Sequence, residues 1–214
     1  MGKARMNQDN CNKQFAKPVL LNTPVYSDQR GYFRVACNFG GNAEPFAMPS
    51  YDLSQLNISE SSEGVFRGLH WQVKSPQSKY VFCISGEIID IVVDIRKDSP
   101  DFGVGRQYRL DKHNSLIVPV GYAHGFLVLS KKAIVGYLVE GVYDQESERS
   151  LNIDDPNLEF AETLQDALCL GIRRDIPMSS PIMVMGASHH LISCRSDKDE
   201  KAPHLSQLRN EDLL

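Results

Sequence analysis

Tyr80-Val-Phe-Cys-Ile-Ser85 and Glu87-Ile-Ile-Asp-Ile-Val-Val-Asp-Ile95 are two strand-like runs separated by Gly86 alone. Their β-branched and aromatic content predicts strands, and the Ser85-Gly86 junction predicts a tight hairpin. In the second run Ile89, Ile91, Val93 and Ile95 share one face, while Asp90, Val92, Asp94 and Arg96 share the other. A barrel strand with one core face and one polar face fits this alternation best.

The same punctuation continues in both directions. Upstream, Pro18–Leu21 and Tyr32–Ala36 flank turn residues Ser27–Gly31, which predicts a first hairpin-like pair. Residues 38–50, rich in Asn, Gly and Pro, read as loop or short helix. Leu53–Ser59 sets Leu53, Gln55, Asn57 and Ser59 against Ser54, Leu56 and Ile58, so this strand has a wet or functional side. Downstream, Gly105–Leu110, Ser115–Val118, Gly125–Leu129 and Ala133–Val142 are further strands, with turns between them. No helical periodicity interrupts the chain up to residue 145. The fold class is therefore mainly β, an antiparallel β-barrel or sandwich. Leu158–Leu170 and the tail Leu205–Leu214 predict short C-terminal helices. The expected organisation is a disordered lead-in at 1–15, a barrel over 16–156 and a C-terminal segment over 157–214.

The chain has 214 residues, 42% hydrophobic and 23% charged, and a formal net charge of -4. That charge gives no general attraction to nucleic acid or anionic lipid, so neither is expected as a partner. No apolar stretch is long enough to span a bilayer, and the polar N-terminus lacks the apolar centre of a secretory signal. The five cysteines, Cys11, Cys37, Cys83, Cys169 and Cys194, are scattered without a C-x-x-C pair, a reduced pattern that points to the cytoplasm.

Candidate chemistry gathers in Glu63-Gly-Val-Phe-Arg-Gly-Leu-His-Trp-Gln72. An arginine, a histidine and a glutamine on a half-buried strand need partners or a cleft, since burying them alone costs several kcal/mol. A second histidine, His124, stands in Pro-Val-Gly-Tyr-Ala-His-Gly-Phe, the turn-then-histidine pattern of the small barrels called cupins. Metal-binding cupins carry His-x-His where this chain has His70-Trp-Gln72. Two imidazoles make a poor transition-metal site, so a metal-free barrel is expected. His189-His190 reads as surface.

Gly64-Val-Phe-Arg-Gly-Leu-His-Trp-Gln72, Ser78-Lys-Tyr-Val81, Ser85 to Arg96, Ser99-Pro-x-Phe-Gly103, Pro119-x-Gly-x-Ala-His-Gly-Phe-Leu-Val-Leu-Ser130 and Asp154-Asp-Pro156 resemble, in order and spacing, the dTDP-4-dehydrorhamnose 3,5-epimerase family. The resemblance covers about residues 17–156. It implies a cupin-like jelly roll, a homodimer and cofactor-independent epimerisation of a nucleotide-linked 4-keto-6-deoxy sugar at C3, C5 or both. It assigns His70 as the base, Tyr137 as the acid and Lys79 as the cation beside the enolate oxygen. Arg30 and Arg67 correspond to diphosphate-binding arginines, with Phe33 beside the first. Gln55, Asn57, Gln72 and His124 correspond to further substrate contacts. A histidine base needs a carboxylate to fix its tautomer. Ser196-Asp-Lys-Asp199-Glu-Lys-Ala-Pro203 matches the family segment that supplies it, which nominates Asp199.

Each residue also has a plain reading. Tyr137 is then a strand aromatic, Lys79 a solvated loop end, Arg30 a turn residue and Asp199 part of a charge run. The chain departs from the family pattern at Val35, Leu56 and Ile58, and lacks its late Trp-Pro. A single-carbon epimerase, a keto-isomerase or a non-catalytic sugar-nucleotide-binding cupin are the alternatives. In a regular strand Arg67 would point away from His70, so a shared pocket requires a bulge at Gly68. Asp90 is expected to face the interior and brace one of the histidines.

Overall fold

Which face of a strand is covered depends on what lies beyond it, and here both faces of the central strand are covered. The protein is represented by a computed structural model that describes residues 17–37, 53–160 and 192–214. The strands are β1 (Val19–Asn22), β2 (Tyr26–Asp28), β3 (Gly31–Phe33), β4 (Leu53–Ser62), β5 (Phe66–Gln72), β6 (Ser78–Ser85), β7 (Ile88–Asp94), β8 (Val104–Leu110), β9 (Asn114–Val118), β10 (Tyr122–Val128), β11 (Lys132–Glu140), β12 (Glu148–Ser150) and β13 (Glu159–Phe160). One sheet runs β1-β9-β6-β11-β4, the other β12-β5-β10-β7-β8-β13, and β2 and β3 form a separate hairpin. Every pairing between these strands is antiparallel except β13 on β8, and an isolated parallel bridge joins Val65 to Cys194.

Between the sheets lies one core, built from Val81 and Cys83 of β6, Val92 of β7, Leu116 of β9, Phe126 of β10 and Val135 of β11, among others. A second core lies outside the six-stranded sheet. There Phe66, Leu69, Trp71, Ile89, Ile91, Val93 and Leu127 pack against Ile192, Leu205, Leu208, Leu213 and Leu214. The isoleucine face of β7 is thus the outer face, roofed by the C-terminal segment. Its polar face, with Asp90, points between the sheets. Alternation identified the two faces correctly, but the all-apolar one lies under a later segment of chain.

The first hairpin-like pair forms differently from expectation. β1 pairs with β9, and the hairpin joins Tyr26–Asp28 to Gly31–Phe33. Gly31, at φ +126°, supplies a backbone conformation that side-chain-bearing residues rarely adopt. The tail over 205–214 makes two separate 3₁₀ turns, Leu205–Gln207 and Asn210–Asp212, in place of one amphipathic helix. Its leucines are spaced to reach down onto the sheet. Glu159–Phe160, expected to open a helix, instead adds to β8, while the rest of that segment, residues 38–50, His189-His190, Cys11 and Cys169 lie outside the described residues. No helix among the described residues is long and apolar enough to cross a membrane.

Three carboxylates pin the C-terminal segment. Asp155 accepts from the backbone of Leu205, Asp199 from His70, and Asp212 from Arg149 at 2.6 Å. For each, burial alone would raise the carboxyl, yet the hydrogen bonds hold it below the ordinary carboxylate range. A depressed folded-state pKa stabilises above the unfolded value, and that contribution is lost as pH falls through the folded value. Below about pH 4 the segment is therefore expected to loosen before the sheets. Trp71, the sole tryptophan, donates its indole N–H to Asp212 O at 2.8 Å. Its emission should shift to the red on acidification while far-ultraviolet dichroism is still native. Simultaneous loss of both signals would contradict this order.

Candidate active site

Gly68 sets the geometry. Pairing of β10 with β5 matches His124 to His70 and then Phe126 to Arg67, so three residues of β5 span two of β10. That is a bulge, located at Gly68-Leu69. Gly68 has φ +124°, and a Cβ there would stand 2.5 Å from Gly125 Cα and 2.8 Å from His124 O. The extra residue turns Arg67 to the same side as His70. Both line a cavity of about 640 Å³ between the sheets, together with Lys79, His124, Tyr137 and Asp199.

The walls carry different chemistry. From the six-stranded sheet come His70 and Arg67 on β5 and His124 on β10, and from the five-stranded sheet come Lys79 on β6 and Tyr137 on β11. His70 Nε2 lies 2.6 Å from Asp199 Oδ1, and Asp199 is only 4% exposed. Asp199 arrives from 129 residues away in sequence. Ser193 N donates to Gly64 O at 2.9 Å and Phe66 N to Cys194 O at 2.9 Å, so the returning chain runs beside the start of β5. A single helical turn, α1 (Asp197–Glu200), then presents Asp199, with Ser196 Oγ capping the turn by accepting from Asp199 N.

A second imidazole–carboxylate pair stands beside the first. His124 Nε2 lies 2.9 Å from Asp90 Oδ2, with Asp90 wholly buried, so Asp90 does face the interior and brace a histidine. Burial lowers the His124 imidazole, against the pull of Asp90. Burial likewise pulls the Lys79 ammonium down to about 8, opposed by Asp90 and Glu148. Tyr137 is pushed upward by burial, with Arg67 opposing, which keeps the phenol protonated at neutral pH. Arg67 Nε donates to Ser61 Oγ at 2.9 Å. Among the described residues no three metal-ligating side chains gather into a site.

Other nominated residues stand elsewhere. Gln72 is 3% exposed and does not line the cavity. Its amide donates to Ser75 O and Val142 O and accepts from Asp144 N at 2.6 Å, stapling the loop after β11 to β5. Asn57 is paired with Tyr137 across β4 and β11, and Gln55 with Val139. Neither is among the cavity walls, although the neighbouring Glu60 and Ser61 are. On the expected polar side of β4, Asn57 and Ser59 are half-buried and Gln55 is exposed, while Leu56 and Ile58 face out, 57% and 62% exposed. Arg30 is ion-paired to Asp28 at 2.6 Å on the exposed β2–β3 hairpin, with Phe33 beside it, and both lie outside the cavity.

Several wall residues carried no sequence signal. Lys132 pairs with Glu60 at 2.8 Å. Arg195 pairs with Asp154 at 2.5 Å, and Cys194 and Ser196 flank it. Glu148, outside the cavity walls and held by Lys198 at 2.7 Å, is still close enough for its charge to act on Lys79 and to feel His70. Cys194, Arg195, Ser196 and Lys198 come to these places only because the C-terminal segment returns there.

Residues 12–207 match the family model described as dTDP-4-dehydrorhamnose 3,5-epimerase. The chain is 38% identical to the dTDP-4-dehydrorhamnose 3,5-epimerase of Streptomyces griseus, over 91% of this chain and 86% of that one. Its structure is similar to that of a dTDP-6-deoxy-D-glucose-3,5-epimerase from Legionella pneumophila in complex with dTDP-4-keto-L-rhamnose. The TM-score is 0.62 at 33% identity, covering 73% of this chain and 88% of that chain. A 3′-monoepimerase from Streptomyces bikiniensis in complex with dTDP matches at TM-score 0.67 and 26% identity, covering 88% of this chain and 83% of the other.

Proposed function

The chain belongs to the dTDP-4-dehydrorhamnose 3,5-epimerase family, and from that premise we propose that it epimerises a dTDP-linked 4-keto-6-deoxy sugar at the carbons flanking the ketone. Its fold is the mainly β one that the strand pattern predicts and the cupin-like one that the resemblance implies, and the enzyme is an isomerase. The observation that carries the reading is the 2.6 Å His70–Asp199 pair on one wall with Tyr137 on the other.

In this proposal the ketone acidifies the neighbouring C–H bonds. Asp199 holds His70 by Nε2, which leaves Nδ1 as the nitrogen that takes the proton. Electrons left on carbon flow to the carbonyl oxygen, where the Lys79 ammonium stabilises the enolate. Tyr137 donates a proton from the opposite face, and the configuration inverts. Solvent reprotonates the tyrosinate and removes the proton from His70, so the sum is an isomerisation that exchanges carbon-bound hydrogen with water. Arg67 supplies a guanidinium for the diphosphate at the cavity mouth.

A homodimer belongs to the same proposal. The hairpin bearing Arg30 and Phe33 stands outside its own cavity, with Tyr26 and Phe33 each 65% exposed. β4 is a sheet edge with an apolar outer face. A second copy would cover these surfaces and give the hairpin a cavity to reach. Sedimentation of a stable monomer at micromolar concentration would reject this.

Turnover in deuterium oxide tests the chemistry. Deuterium should enter at both C3 and C5 of the sugar. Entry at one carbon makes the chain a monoepimerase, like the Streptomyces bikiniensis neighbour. No entry despite tight binding would overturn the catalytic reading.

A further inference from the structure

Asp90 is an expensive residue to bury. It is 0% exposed, its Oδ2 is engaged by His124, and its Oδ1 is buried without a hydrogen-bond partner among the described residues. A buried carboxylate oxygen left unsatisfied in a core needs a compensating charge. The candidate lies across the sandwich. Lys79 is on β6 of the five-stranded sheet and Asp90 on β7 of the other; Lys79 shares the cavity with His124, which Asp90 holds at 2.9 Å, and the charges of Lys79 and Asp90 act on each other. Lys79 lines the cavity, and among the described residues no hydrogen bond or ion pair occupies its ammonium.

We propose that Asp90 is a positioning residue for the reaction: its carboxylate is the counter-charge to the Lys79 ammonium, and it orients His124 so that Nε2–H is turned toward Asp90 and Nδ1 offers a lone pair to the cavity. The inference rests on reading Lys79 as the cation beside the enolate oxygen. His124 serves as the neutral bridge of the trio, because burial lowers its imidazole. One negative and one positive charge then leave the cluster without net charge, which is the cheapest way to hold ionised groups away from water.

The groups facing Lys79 come from every neighbouring element. Asp90 on β7 and Glu148 on β12 support its charge. His124 on β10 and His70 on β5 line the same cavity, as does the Tyr137 phenol on β11 of its own sheet. Glu148 already has Lys198 as partner at 2.7 Å, so Asp90 is the acid without another cation. Asp90 in turn is raised by burial, and His124 and Lys79 are what resist that rise.

Asp90→Asn tests this, since asparagine retains an oxygen acceptor for His124 and removes only the charge. Titration of the Lys79 ammonium, followed by nitrogen-15 resonance in the full chain, should move to lower pH by about one unit. The alkaline limb of kcat should move with it, costing about fivefold in rate at pH 8. The acid limb should stay in place. An unmoved Lys79 titration would overturn the proposal, because a purely structural Asp90 would leave it unchanged. The Lys79 titration is read without substrate, so its outcome stands apart from whether the chain is an epimerase. Should Asp90→Asn not fold, the unaltered protein supplies the test. The Asp90 carboxyl carbon resonance must shift in step with the Lys79 titration, and a carboxyl that titrates independently would sink the idea.

Discussion

His70→Ala is expected to lower kcat by about three orders of magnitude and to stop deuterium entry at the sugar carbons, while nucleotide-sugar affinity changes by less than about threefold. The asymmetry follows from the site. Removing the imidazole takes away the base and leaves Asp199 buried without its main partner, but Arg67, Lys79 and Tyr137 still line the cavity. Asp199, at 4% exposure, would keep the bonds from Ser196 and Gly68 but lose the imidazole, the main group that holds its carboxyl down against burial. Quenched turnover and equilibrium binding with the same sugar nucleotide separate the two quantities. Retained exchange in His70→Ala would remove His70 as the base, and a matching loss of binding would make it a substrate contact.

The second large effect is expected far from any proton. Gly68→Ala should destabilise the fold by about 3 kcal/mol or more and abolish activity in whatever folds. Its Cβ would meet Gly125 Cα at 2.5 Å and His124 O at 2.8 Å, backbone atoms of the paired strand that cannot rotate away. A Cβ on Gly125 would meet Arg67 O at 2.5 Å in return. The two glycines let β5 and β10 approach where the bulge redirects Arg67. Separating them moves His70 relative to His124, the pair matched across this ladder. Urea unfolding of Gly68→Ala measures the effect. A variant of ordinary stability and activity would show that the strands can separate without cost.

Much of this was legible in the chain. Alternation in β4 and β7, the Ser85-Gly86 reversal and the absence of helical periodicity gave a two-layer β fold, because side-chain direction along a strand is a local property. The need for a bulge at Gly68 was legible too, since Arg67 and His70 are an odd number of residues apart and cannot share a face otherwise. Asp90 was visible as a carboxylate on a face alternating with isoleucine. The tail was misread because Leu205, Leu208 and Leu213 suggest a helix by spacing, whereas each is held by its own contact to the outer sheet face.

The amino-acid sequence by itself determined which residues alternate, where the chain reverses, and that a histidine, a lysine and a tyrosine are set on strand-like runs at the positions where the family carries them. Only the tertiary structure decided which face of β7 is inside, because two apolar layers compete for it and a segment more than 100 residues later in the chain covers the outer one. It also decided that Gln72 closes a loop, that Arg30 lies outside its own cavity, and that Asp199 meets His70. The physical reason is the same in each case. Burial and charge pairing act through space, and the sheet topology sets which distant residues share it.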